Sequence, residues 1–170
     1  MKIALVYDRV NKFGGAERVL LSLKKLFPDA PLYTLVHHPK TAKWASVFDV
    51  RPTFLNNISL LRNKHEILAP IAPLSFESLN LKNFDVIISI TSSDAKSIIT
   101  RADQLHLCYC LTPTRYFWSG ADEYGSDIKM RLLPAIFYKF FRYLDLVTSA
   151  RPDVYISISK EIKNRVKKTF

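Results

Sequence analysis

The chain has 170 residues, 48% of them apolar or aromatic and 24% charged, proportions that exclude a disordered or fibrous chain and suit one well-packed domain better than two. Lys and Arg number 25 against 15 Asp and Glu, a formal charge of +10, so the expected partners are anionic: phosphorylated substrates, lipid headgroups or nucleic acid. No apolar run reaches the roughly 18 residues of a membrane span, and the N-terminal run stops at Asp8, too short for a signal-peptide core; the expectation is a cytoplasmic protein.

Lys2 to Tyr7 is a short apolar run of strand formers. Val19, Leu20, Leu23, Leu26 and Phe27 recur at three-and-four spacing and predict a helix with one apolar face. Between them lie Gly14 and Gly15, where a sharp entry into the first helical turn is expected to use the positive-φ freedom of glycine. The amides of that turn would then face outward at the C-terminal edge of a sheet, at the positive end of the helix dipole. A plain turn is the rival reading. The loop lacks the Gly-Lys-Ser/Thr ending of a Walker A motif and the three spaced glycines of a dinucleotide fingerprint. Glu17 suits the dipole but repels a phosphate lying directly on the turn, so a neutral, hydroxyl-rich ligand such as a sugar or polyol fits better, with any phosphate to one side.

Pro28 to Pro31 break the chain, and Leu32 to Val36 predict a second strand ending in the loop His37-His38-Pro39. The two histidines have no third ligand at helical spacing, so no metal is expected there. Val47 to Phe54 predict a third strand, at an edge because Pro52 has no amide for a ladder. Residues 56 to 79, interrupted by Pro70 and Pro73, predict one or two short helices. Phe84 to Thr91, almost continuously apolar and β-branched, suits the centre of a parallel sheet covered on both faces. It runs into Ser92-Ser93-Asp94-Ala95-Lys96-Ser97, where Ser92 or Ser93 is the expected cap of a short helix.

Leu105 to Leu111 predict a fifth strand, with Cys108 and Cys110 on one face as core thiols, too close in sequence for an easy mutual disulfide and without a second Cys or His pair for a metal. Its exit, Thr112 to Trp118, is polar and aromatic. Ser126 to Ser149 is the longest helical pattern, interrupted by Pro134. Leu133, Ile136, Phe137, Phe140, Leu144 and Val147 fall on the side expected to cover the sheet, with Arg131, Tyr138 and Arg142 opposite; the alternative is contact with a membrane surface. Asp153 to Ser159 predict a last strand, and Ser159 caps a helix from Lys160 to Phe170. The alternation implies an α/β fold: a doubly wound, mainly parallel Rossmann-like sheet whose ligand crevice gathers the loops Gly14–Glu17, Ser92–Lys96 and Thr112–Trp118 at one edge.

Gly-Gly-Ala-Glu-Arg-Val after the first strand, Ile-Thr-Ser-Ser-Asp-Ala-Lys, Cys-Tyr-Cys-Leu-Thr-Pro-Thr-Arg-Tyr-Phe-Trp, and Ile-Ser-Ile-Ser-Lys-Glu-Ile before a basic helix together resemble the N-terminal domain of family 4 glycosyltransferases of the GT-B fold. The resemblance spans nearly the whole chain in the expected order. It implies a retaining, metal-independent transfer of a sugar from a nucleotide-sugar donor to a glycan or lipid-linked acceptor in cell-envelope synthesis, with no cofactor. It also implies that Gly14 and Gly15 approach the donor phosphates and sugar, while Glu17, Asp94, Arg115, Tyr116 and Trp118 line the acceptor side. Many relatives carry histidines where this chain has Leu111 and Asp94, so no catalytic residue is assigned. The nucleotide-binding second domain of such enzymes is expected in cis or in trans, with 160–170 as the start of the linker; alone, the chain is expected to be inactive or nearly so, and peripheral on the inner membrane face through its basic and aromatic surface. The rival function is a non-catalytic basic module for nucleic acid, with Arg115 to Trp118 as a stacking platform, or for a partner chain; dispersed basic residues and the lack of a nucleic-acid motif disfavour nucleic acid.

Overall fold

The computed structural model describes residues 1–58, 71–114, 117–118 and 135–170, with backbone alone at 135–138. Six strands, β1 (Ile3–Tyr7), β2 (Leu32–Thr34), β3 (Val50–Pro52), β4 (Val86–Thr91), β5 (Leu105–Cys110) and β6 (Val154–Ser157), pair in parallel in the order β3-β2-β1-β4-β5-β6. Between them run helices α1 (Gly15–Leu26), α2 (Ala72–Glu77) and α3 (Ala135–Ser149), and α4 (Lys160–Thr169) follows β6. This is an α/β fold with a Rossmann-like sheet. The strand order reverses between β1 and β4, which opens a crevice beyond their C-terminal ends.

The period-2 alternation of strands sorts the core into two layers. Ala4 and Val6 of β1 face Phe76, Ile87, Ala95 and Ile98, whereas Leu5 and Tyr7 face Leu20, Ile88 and Ile90. Phe76, Leu5, Leu20, Ile87 and Ile90 are fully buried, and each contributes roughly 1.5–3 kcal/mol by leaving water. A smaller third cluster packs Ile162 and Val166 of α4 against Cys108 and Cys110, which are buried free thiols as expected. Pro52 lies on edge strand β3, again as expected. That strand is shorter than its sequence pattern because 3₁₀ turns at Lys43–Val47 and Phe54–Asn57 flank it. Ser159 caps α4, its hydroxyl accepting from the Ile162 amide at 3.2 Å.

Three expectations are corrected. Neither Gly14 nor Gly15 has a positive φ; Gly14 is extended at φ −167°. Close approach explains Gly14 instead, since a Cβ there would sit 3.2 Å from Oε2 of Glu17, while one on Gly15 would meet nothing within 4 Å. Ser92 and Ser93 do not cap the turn after β4, a 3₁₀ segment at Ala95–Ser97, because a carboxylate from another strand's exit takes its amides. Helix α3 is rotated relative to its apolar pattern: Leu144 is half-buried and Arg142 exposed as expected, but Asp145, Thr148 and Ser149 are buried and Phe140 and Val147 exposed. The cause is the surface it meets, a turn carrying the buried cation Lys96, which draws Asp145 inward. The expected N-terminal part of that helix, with Arg131, Leu133 and Pro134, lies outside the described residues, as do residues 59–70 and the side chains of Ile136, Phe137 and Tyr138; of the short helices expected within 56–79, α2 is present.

Candidate functional site

The crevice is organised by Asp8, the first residue after β1, 7% exposed. One of its carboxylate oxygens accepts from Thr91 Oγ1 at 2.8 Å, the Asp94 amide at 3.0 Å and the Ala95 amide at 2.9 Å. The other accepts from the Ser92 amide at 2.7 Å and its hydroxyl at 3.3 Å. Hydrogen bonds to a charged acceptor are worth about 1.5–3 kcal/mol each, so this carboxylate holds the β4 exit loop against the β1 exit loop across the switch point. Sequence reasoning missed Asp8: its one signal is an acid at the end of a first strand, which means little until β4 is known to lie beside β1. Arg9 follows, with its buried Nε making no hydrogen bond among the described residues.

Asp94 is buried at the floor of a cleft bounded by Pro73, Phe117, Phe141, Leu144 and Thr148. Its carboxylate accepts from the Ser93 hydroxyl at 2.5 Å. Burial raises its pKa to about 6, against the pull of Lys96 and the Ser93 hydrogen bond. A carboxyl titrating there can both accept and return a proton near neutrality.

Beside it, Lys96 forms a 2.6 Å ion pair with Asp145 of α3, both side chains 3% exposed. The Lys96 ammonium also donates to the Ser93 carbonyl at 2.5 Å and to Thr114 Oγ1 at 3.4 Å. Burial opposes its charge, but Asp145 and Asp94 outweigh that and hold the ammonium above its ordinary pKa. Asp145 accepts further hydrogen bonds from Thr114 Oγ1 at 2.8 Å and from Trp118 Nε1 at 2.6 Å. One carboxylate thus ties α3 to the exits of both β4 and β5.

The sequence-predicted site residues fall into three groups. Asp94 and Trp118 come together through the Lys96–Asp145 network, but the Trp118 ring is covered by the Arg142 guanidinium, 4.1 Å from its centroid, and met at right angles by Phe170. Gly14, Gly15 and Glu17 stand at the β1 exit, with Glu17 only 2% exposed and accepting from the Tyr7 hydroxyl at 2.6 Å. Burial and this carboxylate raise the Tyr7 pKa, so its proton stays in place. Arg115 and Tyr116 lie outside the described residues. His37 and His38 are stitched into the loop packing, the His37 amide donating to Asn56 Oδ1 at 2.9 Å and the His38 amide to the Val10 carbonyl at 2.8 Å. Among the described residues, no group of three or more His, Cys, Asp or Glu is arranged to hold a metal ion, and no helix is long and apolar enough to cross a membrane.

Fold and site together define an α/β protein with a Rossmann-like parallel sheet and a crevice at its switch point. No family model, curated protein or solved structure matches the chain.

Proposed function

We propose that this chain is the acceptor-side half of a retaining glycosyltransferase, moving a sugar from a nucleotide-sugar donor to a glycan or lipid-linked acceptor, with the donor's nucleotide held by a second domain in cis or in trans. The observation that carries the reading is the meeting of the β1 and β4 exits at the switch point, fixed by Asp8, with the titratable carboxyl of Asp94 beside it. The open position at Gly15 and the first-turn amides of α1 suit the approach of donor phosphates and sugar. The Asp94 carboxylate suits hydrogen bonding to an acceptor hydroxyl, with the Lys96 charge fixed behind it. Glu17 acts from below, setting the loop through Gly14 and Tyr7.

The test is a transfer assay on the protein purified from its native cell with whatever domain or subunit accompanies it, using a panel of labelled nucleotide sugars and a lipid and glycan extract as acceptor. Transfer that survives a chelator and falls at least tenfold in Asp94→Asn is the expected result. Absence of transfer from every donor, with the fold intact, would overturn the reading.

A further inference from the structure

Arg9 follows Asp8 at the C-terminal end of β1, where the crevice opens. Its side chain is half-buried, with Nε enclosed and without a hydrogen bond. The two Nη nitrogens are not enclosed, and among the described residues they form neither a hydrogen bond nor an ion pair. A stem held in the protein thus presents Nη1 and Nη2 side by side, the edge with which a guanidinium grips an oxyanion through two parallel hydrogen bonds. Burial raises the pKa of Tyr7 and of Asp94, and the Arg9 charge is among those that pull both back, so it acts on the β1 and β4 exits alike. The nearby acids are engaged elsewhere. Asp8 accepts from Thr91 and from amides of the β4 exit, Glu17 from the Tyr7 hydroxyl, and Asp94 from the Ser93 hydroxyl.

We propose that Arg9 binds an anionic group of the acceptor sugar, a carboxylate or a phosphate monoester, end-on through its two Nη nitrogens. A guanidinium that gives up water without gaining a partner is unfavourable, and the ligand's oxyanion supplies the partner that the chain withholds. Asp94, on the β4 exit across the switch point, offers an acceptor for a hydroxyl of the same sugar, so an acidic sugar meets a donor and an acceptor together. A nucleoside diphosphate suits the position less well. It carries more negative charge than one guanidinium answers, and the neighbouring Lys96 is spent on Asp145 and the Ser93 carbonyl. The site rests on the glycosyl-transfer reading only where its ligand is called an acceptor sugar; the free fork of Arg9 stands without it.

The experiment titrates the isotope-labelled 170-residue chain, at fixed ionic strength, with methyl glucoside, glucuronate, glucose monophosphate and uridine diphosphate. The Arg9 Nε resonance, its proton sheltered from water, is expected to shift with glucuronate or glucose monophosphate, and that acidic sugar to bind about tenfold or more tighter than methyl glucoside. Arg9→Gln brings the acidic sugar down to the level of methyl glucoside. Arg9→Lys keeps the charge but not the fork and loses most of the preference. Lys40→Gln, which removes one positive charge at an exposed site in the loop after β2, keeps it. Where Arg9→Gln lowers the thermal midpoint, the Nε shift in the unsubstituted chain carries the test. Acidic sugars that bind no tighter than methyl glucoside overturn the proposal. So does an equal loss in Lys40→Gln, which would mean diffuse attraction of the whole basic chain, and so does an Arg9 Nε that moves with uridine diphosphate alone, which would give the site to the donor. Arg9-dependent binding of an acidic sugar in a protein that transfers nothing upholds the anion site and removes the transfer reading; transfer that Arg9→Gln leaves unchanged removes the anion site alone.

Discussion

Beyond its first turn, where Glu17 is buried, α1 packs on a different kind of surface from α3. α1 places Leu20 in a core of Leu5, Ile88 and Ile90, with Ala16, Leu21, Leu23 and Phe27 packed around it. α3 places Asp145, Thr148 and Ser149 inward and leaves Phe140, Tyr143, Leu146 and Val147 outside. The difference lies in what each helix meets. α1 meets aliphatic strand residues, and apolar area decides its orientation. α3 meets the Ala95–Ser97 turn, where the buried Lys96 ammonium takes its counter-charge from Asp145 and so fixes which side of the helix is inward. Apolar periodicity therefore tells which side of a helix is inward only when the facing surface is apolar.

The largest effect expected is from Lys96→Met, which leaves Asp145 buried and unpaired and costs about 3–5 kcal/mol in urea unfolding. Joining it to Asp145→Leu recovers part of that loss but not all, since Trp118 Nε1 and Thr114 Oγ1 then lack their acceptor. A double substitution as destabilised as the two singles added together would break the comparison. On the α1 side, Leu20→Ala costs about 3 kcal/mol through its cavity. That cost should not vary with pH.

The polar half should vary. Asp94 has its folded pKa raised to about 6, so its contribution grows as pH falls from above 6 towards the ordinary carboxylate value. His106 is fully buried on β5, its Nε2 2.8 Å from the Ser89 hydroxyl and its Nδ1 without a partner among the described residues. Burial lowers its pKa to about 4, so its contribution is complete above the ordinary imidazole value and is lost as pH falls towards 4. Each shift corresponds to about 3 kcal/mol, and between pH 4 and 6 the two oppose one another. Asp94→Asn removes the acid-side gain, leaving a steeper loss of stability from pH 6.5 to 4. An unchanged pH profile in that variant would place Asp94 in a solvated site.

The smallest effect is Gly14→Ala. It presses a methyl towards Glu17 Oε2 and costs about 1 kcal/mol or less if the carboxylate shifts by a few tenths of an ångström. Urea unfolding gives the cost, and the resonances of Tyr7, which donates to Glu17, report the shift.

Periodic, locally determined features were legible in the sequence. The first strand, α1, the β-branched run of β4, the edge position of Pro52 and the Ser159 cap all follow from residues within a few positions of each other. Features that depend on partners far along the chain were not. Asp8 acts on residues 83 to 87 positions away, and Lys96 on one 49 positions away. The glycine pair was read correctly as the entry to a helix and wrongly as a positive-φ turn, because a close contact with Glu17 and an unusual φ leave the same mark in sequence. Of the predicted site residues, Asp94 lines the cleft, whereas Glu17 and Trp118 are engaged in holding the loops.

The most direct test is to titrate the isotope-labelled chain with methyl glycosides and follow its amide resonances. If the crevice at the switch point is the ligand site, the shifts concentrate at Gly14–Glu17 and Ser92–Ala95 and weaken in Asp94→Asn. Shifts confined to β2 and β3, or none at saturating sugar, would contradict it.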